Sequence, residues 1–169
     1  MAPSIRQIEV MRKNEFEQVK RRVRSEDSRF IATRSPFYQT VRMLARYYAR
    51  MNSALKPFGI DVARWRVLNL LAERETMTVS EIADECVVQI STMAKTITRM
   101  VGEGWVTVRT SASDARSTDV TISKDGLALL ERTREKINYV FQEALRDLSK
   151  TEVQLLNSLS ARIYENLSP

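Results

Sequence analysis

Residues 78–106 read "TVSEIADECVVQISTMAKTITRMVGEGWV". Thr78 and Glu81 stand at the S/T-x-x-E spacing in which each side chain satisfies an orphan amide of a helix start, so a short helix is predicted to begin there. Cys86 follows Ile82 by four residues, on the stripe of that helix that turns inward. After the brief "VVQ" connection, Ile90, Met93, Ile97, Met100 and Val101 mark one apolar stripe of a further helix, which Gly102 and Gly104 close. Two short helices joined by so tight a turn form the helix-turn-helix pattern. The opposite face of the second helix presents Gln89, Ser91, Thr92, Lys95, Thr98 and Arg99. An amide, small hydroxyls and two cations suit a helix lying in a DNA major groove, where its first turns read base edges and its cations hold phosphates. In an isolated helix such a face is more often merely solvated, so the reading depends on what surrounds it.

Downstream, "WVTVR" alternates, with Val106 and Val108 on one face, and "DVTI" alternates with Val120 and Ile122. Two strands with a nine-residue connection, 110–118, make a β-hairpin. Arg109 leaves its first strand and Arg116 sits at its tip. A hairpin standing beside the helix at 89–101 delivers a guanidinium to the adjacent minor groove, whose negative potential favours it. Asp114 has the wrong charge to touch DNA. It is predicted to pair with Arg116 or with a loop amide and so to fix the arginine's direction; the alternative is a surface ion pair worth little.

Upstream, Asp61 can cap "VARWRVLNLLAE", whose Trp65, Leu68, Leu71 and Ala72 form an apolar face. Ser35-Pro36 opens a long amphipathic helix carrying Phe37, Val41, Leu44, Tyr48, Met51 and Leu55, stopped by Pro57 and Gly59. At the other end Ser123 starts a helix with Leu130, Ile137, Phe141, Ala144 and Leu148 in register. Arg134 interrupts that stripe, facing solvent or pairing across an interface. Thr151 and Gln154 are read as another capping box, before a final helix lined by Leu156, Leu159, Ile163 and Leu167. The predicted class is mainly α (α+β), a winged helix-turn-helix with flanking N- and C-terminal dimerisation helices. Its parts are a charged N-terminal extension over 1–34, a dimerisation helix over 35–60, the winged DNA-binding domain over 61–126, and C-terminal dimerisation helices over 127–169. The terminal stripes exceed what one small winged domain can cover, so a homodimer is expected.

Composition narrows the chemistry. The 169 residues are 43% apolar, enough for a core, with a net charge of +6. That charge is uneven: residues 78–126 hold five basic and seven acidic residues, so DNA contact there must rest on where a few cations point. There is no histidine and a single cysteine, Cys86. An internal disulfide, the usual zinc sets and every histidine-assisted nucleophile are thereby excluded, and neither a catalytic residue, a metal nor a cofactor is expected. An acid-containing start without an apolar core, and the lack of any long apolar run, point to a cytoplasmic protein away from membranes.

The stretch quoted above, followed by Asp114-x-Arg116, the strand "VTI", and Ser123-x-x-Gly126, resembles the MarR-type transcriptional regulators over about residues 36–168. The resemblance implies a homodimer that grips a pseudo-palindromic double-stranded DNA operator, most often as a repressor. It also implies a small effector, commonly an aromatic acid or its thioester, bound where the first, second and fifth helices meet the winged domain. Tyr38, Arg42, Trp65 and Arg66 supply aromatic and cationic groups there; the plainer reading makes Trp65 core and the arginines surface or interface groups. Two features depart from the family pattern: Gln89 is a weak cap, and Ile90 stands where a polar residue is frequent. The alternatives are a regulator sensing redox state through Cys86, and a nucleoid or protein-interaction module without an effector. The "KRRVR" run of the extension could hold flanking phosphates, or the extension could pack as an added helix.

Overall fold

A computed structural model describes residues 33, 35–111 and 116–167. The predicted extension over 1–34, apart from Thr33, and the predicted pairing of Asp114 lie outside the described residues. Among the described residues six α-helices and three strands follow in chain order: α1 (Pro36–Leu55), α2 (Val62–Arg74), β1 (Thr76–Thr78), α3 (Val79–Cys86), α4 (Ile90–Gly102), β2 (Val106–Thr110), β3 (Thr118–Ile122), α5 (Lys124–Leu145) and α6 (Lys150–Leu167). Chain contacts divide them into a unit Met1–Arg42 and a unit Met43–Pro169, so that α1 begins in the first and ends in the second.

Local chemistry starts the helices where short-range spacing predicts. Asp61 caps α2, its Oδ1 accepting from the Arg64 amide at 2.9 Å. Thr78 and Glu81 form the reciprocal box at the head of α3, with the Thr78 amide donating to Glu81 Oε2 at 2.7 Å. Ser123 caps α5 by accepting from the Gly126 amide at 3.0 Å. The last box is displaced from the expected one. Ser149 and Glu152, not Thr151 and Gln154, cap α6, the Ser149 amide and hydroxyl both donating to Glu152 Oε2 at 2.8 and 2.7 Å. Both pairs have the right spacing, but a carboxylate accepts more strongly than an amide oxygen.

The core of the second unit is built by Met51 and Leu55 of α1, Val67, Leu68 and Leu71 of α2, Ile82 and Cys86 of α3, Met93, Ile97 and Met100 of α4, with Val106, Val120, Leu129 and Ile137. Beneath it lies an antiparallel sheet of order β1-β3-β2. The three-residue β1 is an addition to the sequence reading: it pairs Met77 with Val120, and so ties the entry of α3 to the wing.

The turn between α3 and α4 uses a valine where glycine would be free. Val87 has φ 56°, ψ 51°, and its amide reaches back to the carbonyls of Ala83 and Asp84. A β-branched residue in that left-handed conformation costs about 1–2 kcal/mol, which the surrounding helix pair must offset.

Several apolar residues expected in stripes are not covered. Ile90 and Val101 are exposed, leaving Met93, Ile97 and Met100 as the buried face of α4. Val108 is exposed beside buried Val106, and along α1 Phe37, Val41, Leu44 and Tyr48 are exposed while Met51 and Leu55 are fully buried.

Candidate nucleic-acid interface

The outer face of α4 is set by what its inner face buries. With Met93, Ile97 and Met100 inward, Gln89, Ser91, Thr92, Lys95, Thr98 and Arg99 are all exposed, as the sequence pattern predicts. Thr98 donates its hydroxyl to the Ala94 carbonyl at 2.9 Å, back-bonding to its own helix. Lys95 and Arg99 lie one turn apart and, with Thr92 and Thr96, line a cleft of about 350 Å³ shared with Asp61, Ala63 and Arg64 at the head of α2. Tyr164 of α6 faces the other end of α4 across an open cleft of about 680 Å³ beside Val88, Gln89 and Thr92.

Several acids of this slightly acidic stretch are engaged internally, while Asp84 stays exposed and lines the cleft beside Gln89 and Thr92 at the head of α4. Glu81 is bound into the Thr78 cap, whose backbone and side-chain hydrogen bonds hold its carboxyl below the usual value. Glu85 pairs with Arg74 at 2.6 Å, and Glu103 with Arg64 at 2.6 Å. Asp119 pairs with Arg109 at 3.3 Å. Lys95 and Arg99 have no ion pair among the described residues. The face of α4 is therefore locally cationic although its surroundings sum to a negative charge.

Arg64 also fixes how α4 sits. Its side chain is 13% exposed and is held by Asp61 as well as Glu103, with its guanidinium 5.2 Å from the centre of the Trp105 ring. One half-buried cation thus joins the head of α2 to the end of α4 and the start of the wing. Neither Arg64 nor Glu103 was singled out from sequence, because 39 residues separate them.

The wing strands are β2 and β3, which end at Thr110 and begin at Thr118, so that seven residues of chain separate them instead of nine. The Ser111 amide donates to the Ser117 carbonyl at 2.9 Å and closes the loop's base. Arg109 lies within β2 rather than beyond it, directly opposite Asp119. The Arg109 side chain is 70% exposed, while that of Asp119 is 12% exposed. A nearly buried carboxylate therefore orients an outward arginine, the role that sequence reasoning assigned to Asp114 toward Arg116. Asp119 was missed because only strand register brings it opposite Arg109. Arg116 is exposed at the loop.

The Ser123-x-x-Gly126 motif is the joint between wing and helices. Ser123 Oγ donates to the Gly104 carbonyl at 2.6 Å, and the Ser123 amide to the Trp105 carbonyl at 3.0 Å. A Cβ on Gly126 would stand 2.3 Å from the Trp105 carbonyl oxygen, so only glycine lets α5 pass this close to the start of the wing.

The family model that matches this chain is that of the MarR family, over residues 60–118. The HTH-type transcriptional repressor IacR of Pseudomonas putida is 36% identical over 132 residues, covering 78% of this chain and 79% of that one. The chain belongs to the MarR family. MarR-family winged-helix proteins also share its fold among solved structures. Escherichia coli MarR, in a mutant form complexed with operator DNA, matches at TM-score 0.70 with 22% identity, covering 80% of this chain and 99% of that one. Bordetella bronchiseptica BpsR, a protein whose DNA binding is regulated by 6-hydroxynicotinic acid, matches at TM-score 0.73 with 18% identity over 81% of this chain and 98% of its own.

The residues that the MarR resemblance suggested for an effector are each engaged locally. The Arg42 guanidinium lies 5.5 Å from the centre of the Tyr38 ring. Trp65 donates its indole N–H to Thr133 Oγ1 at 3.2 Å, tying α2 to α5. Arg66 donates to the Glu85 carbonyl at 3.3 Å. A separate groove of about 580 Å³ runs between α1, α5 and α6, walled by Met43, Tyr47, Phe141, Leu145 and Leu156 with Arg46 and Arg50 beside them. Burial, the largest cause, and neighbouring Tyr48 push the Tyr47 phenol up, against a lowering by Arg66. Cys86 is 6% exposed. Burial raises its thiol above the usual value, Arg66 lowers it and Glu85 raises it further, so burial leaves little thiolate.

Proposed function

We propose that this chain is a dimeric, ligand-responsive repressor that inserts α4 into the major groove and the wing arginines Arg109 and Arg116 into the flanking minor groove of a pseudo-palindromic operator. The observation that carries this reading is the pair Lys95 and Arg99 on the exposed face of α4, which has no ion pair among the described residues, while Glu85, Glu103 and Asp119 are each paired with an arginine. Lys95 and Arg99 serve as phosphate contacts, Gln89, Ser91 and Thr92 as groups for base edges, and Thr98 as a backbone-bonded spacer. Repression follows the Pseudomonas relative, and two copies would present half-sites about one helical turn apart.

The effector proposed is a small aromatic acid, in keeping with the BpsR ligand. The groove beside Tyr47 and Phe141 offers ring faces, and Arg46 and Arg50 offer charge partners for a carboxylate. Tyr38 and Arg42, with Trp65 and Arg66, remain the second set of candidate contacts. A ligand that favours one spacing of the two winged domains shifts the population away from DNA. The burial of Cys86 and its raised thiol weigh against a redox trigger.

Duplexes recovered from a randomised library provide the test. Wild-type, Lys95→Ala and Arg116→Ala proteins are titrated with a recovered duplex across salt concentration. Lys95→Ala should reduce the salt slope by about 1 per half-site, and Arg116→Ala should cost about 1–3 kcal/mol. Unchanged affinity and slope in both variants would remove this surface from DNA binding.

A further inference from the structure

The start of α4 carries one feature that neither phosphate contact nor helix stability explains. Ile90 is 54% exposed at the first position of the helix. An apolar residue before a cap can fold back onto the fourth helical position, and Val88 and Met93 hold those two positions here; Ile90, after the cap, does not. Beside it, Gln89 occupies the cap position in extended geometry without giving its side chain to the helix. Its amide has no hydrogen-bond partner among the described residues. An exposed branched apolar side chain thus sits next to an uncommitted amide, about one and a half turns ahead of Lys95 and about two and a half ahead of Arg99.

In the major groove the two chemistries have complementary partners within one kind of base pair. Thymine is the base that presents a methyl group there, and adenine presents the N7 acceptor and N6 donor that a glutamine amide can engage in two hydrogen bonds. Ser91 and Thr92 fit either base and so add little discrimination. Guanine asks for a cation at the same depth, and the cations of α4 stand further along the helix.

Resting on the major-groove reading above, we infer that Ile90 and Gln89 select adenine–thymine pairs in each half-site, Ile90 packing on a thymine methyl and Gln89 bonding adenine. The polar-to-apolar change at position 90 is then a specificity determinant. It trades a hydrogen bond to a base for contact with a methyl group.

The test removes only that methyl. A duplex selected by the full-length protein from a randomised library is resynthesised with single thymines replaced by uracil, and binding is measured by fluorescence anisotropy for wild type, Ile90→Ser and Ile90→Val. Wild type and Ile90→Val should lose about three- to fivefold in affinity at one position of each half-site, the worth of about one buried methyl. Ile90→Ser should bind the thymine and uracil duplexes equally. Repeating the selection with Gln89→Ala should relax the preference for adenine at the neighbouring position. An unchanged thymine-to-uracil ratio in Ile90→Ser, or no methyl-sensitive position in wild type, overturns the inference and leaves the DNA-binding reading standing. Failure of the library to enrich any sequence overturns both.

Discussion

Gly126 shows how a single missing atom positions a surface. The Trp105 carbonyl already accepts the Ser123 amide, and a methyl on residue 126 would press against that oxygen at 2.3 Å. The obstacle is backbone, which cannot rotate aside as a side chain would. Gly126→Ala is therefore expected to destabilise the protein by about 1–3 kcal/mol, read as a lower urea midpoint at unchanged slope, and to weaken DNA binding beyond that by shifting Trp105 and the wing. A variant as stable as wild type would mean that α5 can move outward freely. Asp119 and Arg109 make the opposite case. Their bond at 3.3 Å contributes little stability because Arg109 is mostly in solvent, and its effect is to give an exposed guanidinium a direction.

Among the helices and strands, those with short-range chemistry at their ends were legible and those defined by distant partners were not. Asp61, Thr78 with Glu81, and Ser123 each act within three residues, so spacing alone locates α2, α3 and α5. β1 is three residues long, and its pairing with β3 spans 45 residues between Thr76 and Thr121, so no local pattern announces it. The Glu81 cap has a pH consequence. Its carboxyl is held low first by the Thr78 backbone amide and then by the Thr78 hydroxyl, so its contribution to stability is present above the ordinary carboxylate value. That contribution is lost as pH falls through the lowered value. Urea unfolding followed from neutral pH into the acid range should therefore show a steeper loss for wild type than for Glu81→Gln, with Gln already weakened at neutral pH. Parallel curves would assign acid sensitivity to other carboxylates.

For the complete chain, the terminal helices are the unfinished part. None of the described residues of α6 is buried, and Leu155, Leu156, Leu159, Ile163 and Leu167 are all exposed, as are Leu44 and Tyr48 of α1. So much aligned apolar surface is costly in water and is accounted for by a second copy related by two-fold symmetry. Leu159→Glu should convert a dimer to a monomer in size-exclusion chromatography with light scattering and weaken operator binding steeply, while the core shared by α1 to α5 and the wing, to which α6 adds no buried residue, stays intact. A wild-type protein that is monomeric at all accessible concentrations would exclude the dimeric repressor.

The local pattern of residues was enough to determine the starts of α2, α3 and α5, the inward face Met93, Ile97 and Met100, and hence the outward row from Gln89 to Arg99, because helical periodicity and capping are set within a few residues of chain. Tertiary structure alone decided that Arg64 holds Glu103 and Trp105, that Asp119 stands opposite Arg109 and pairs with it, and that Ile90 is left in solvent. Those outcomes depend on which segments, distant in the chain, the buried core brings side by side. Charge follows the same division: counting residues made residues 78–126 acidic, and only the tertiary structure pairs Glu85 and Glu103 with arginines of α2 and leaves Lys95 and Arg99 without an ion pair among the described residues.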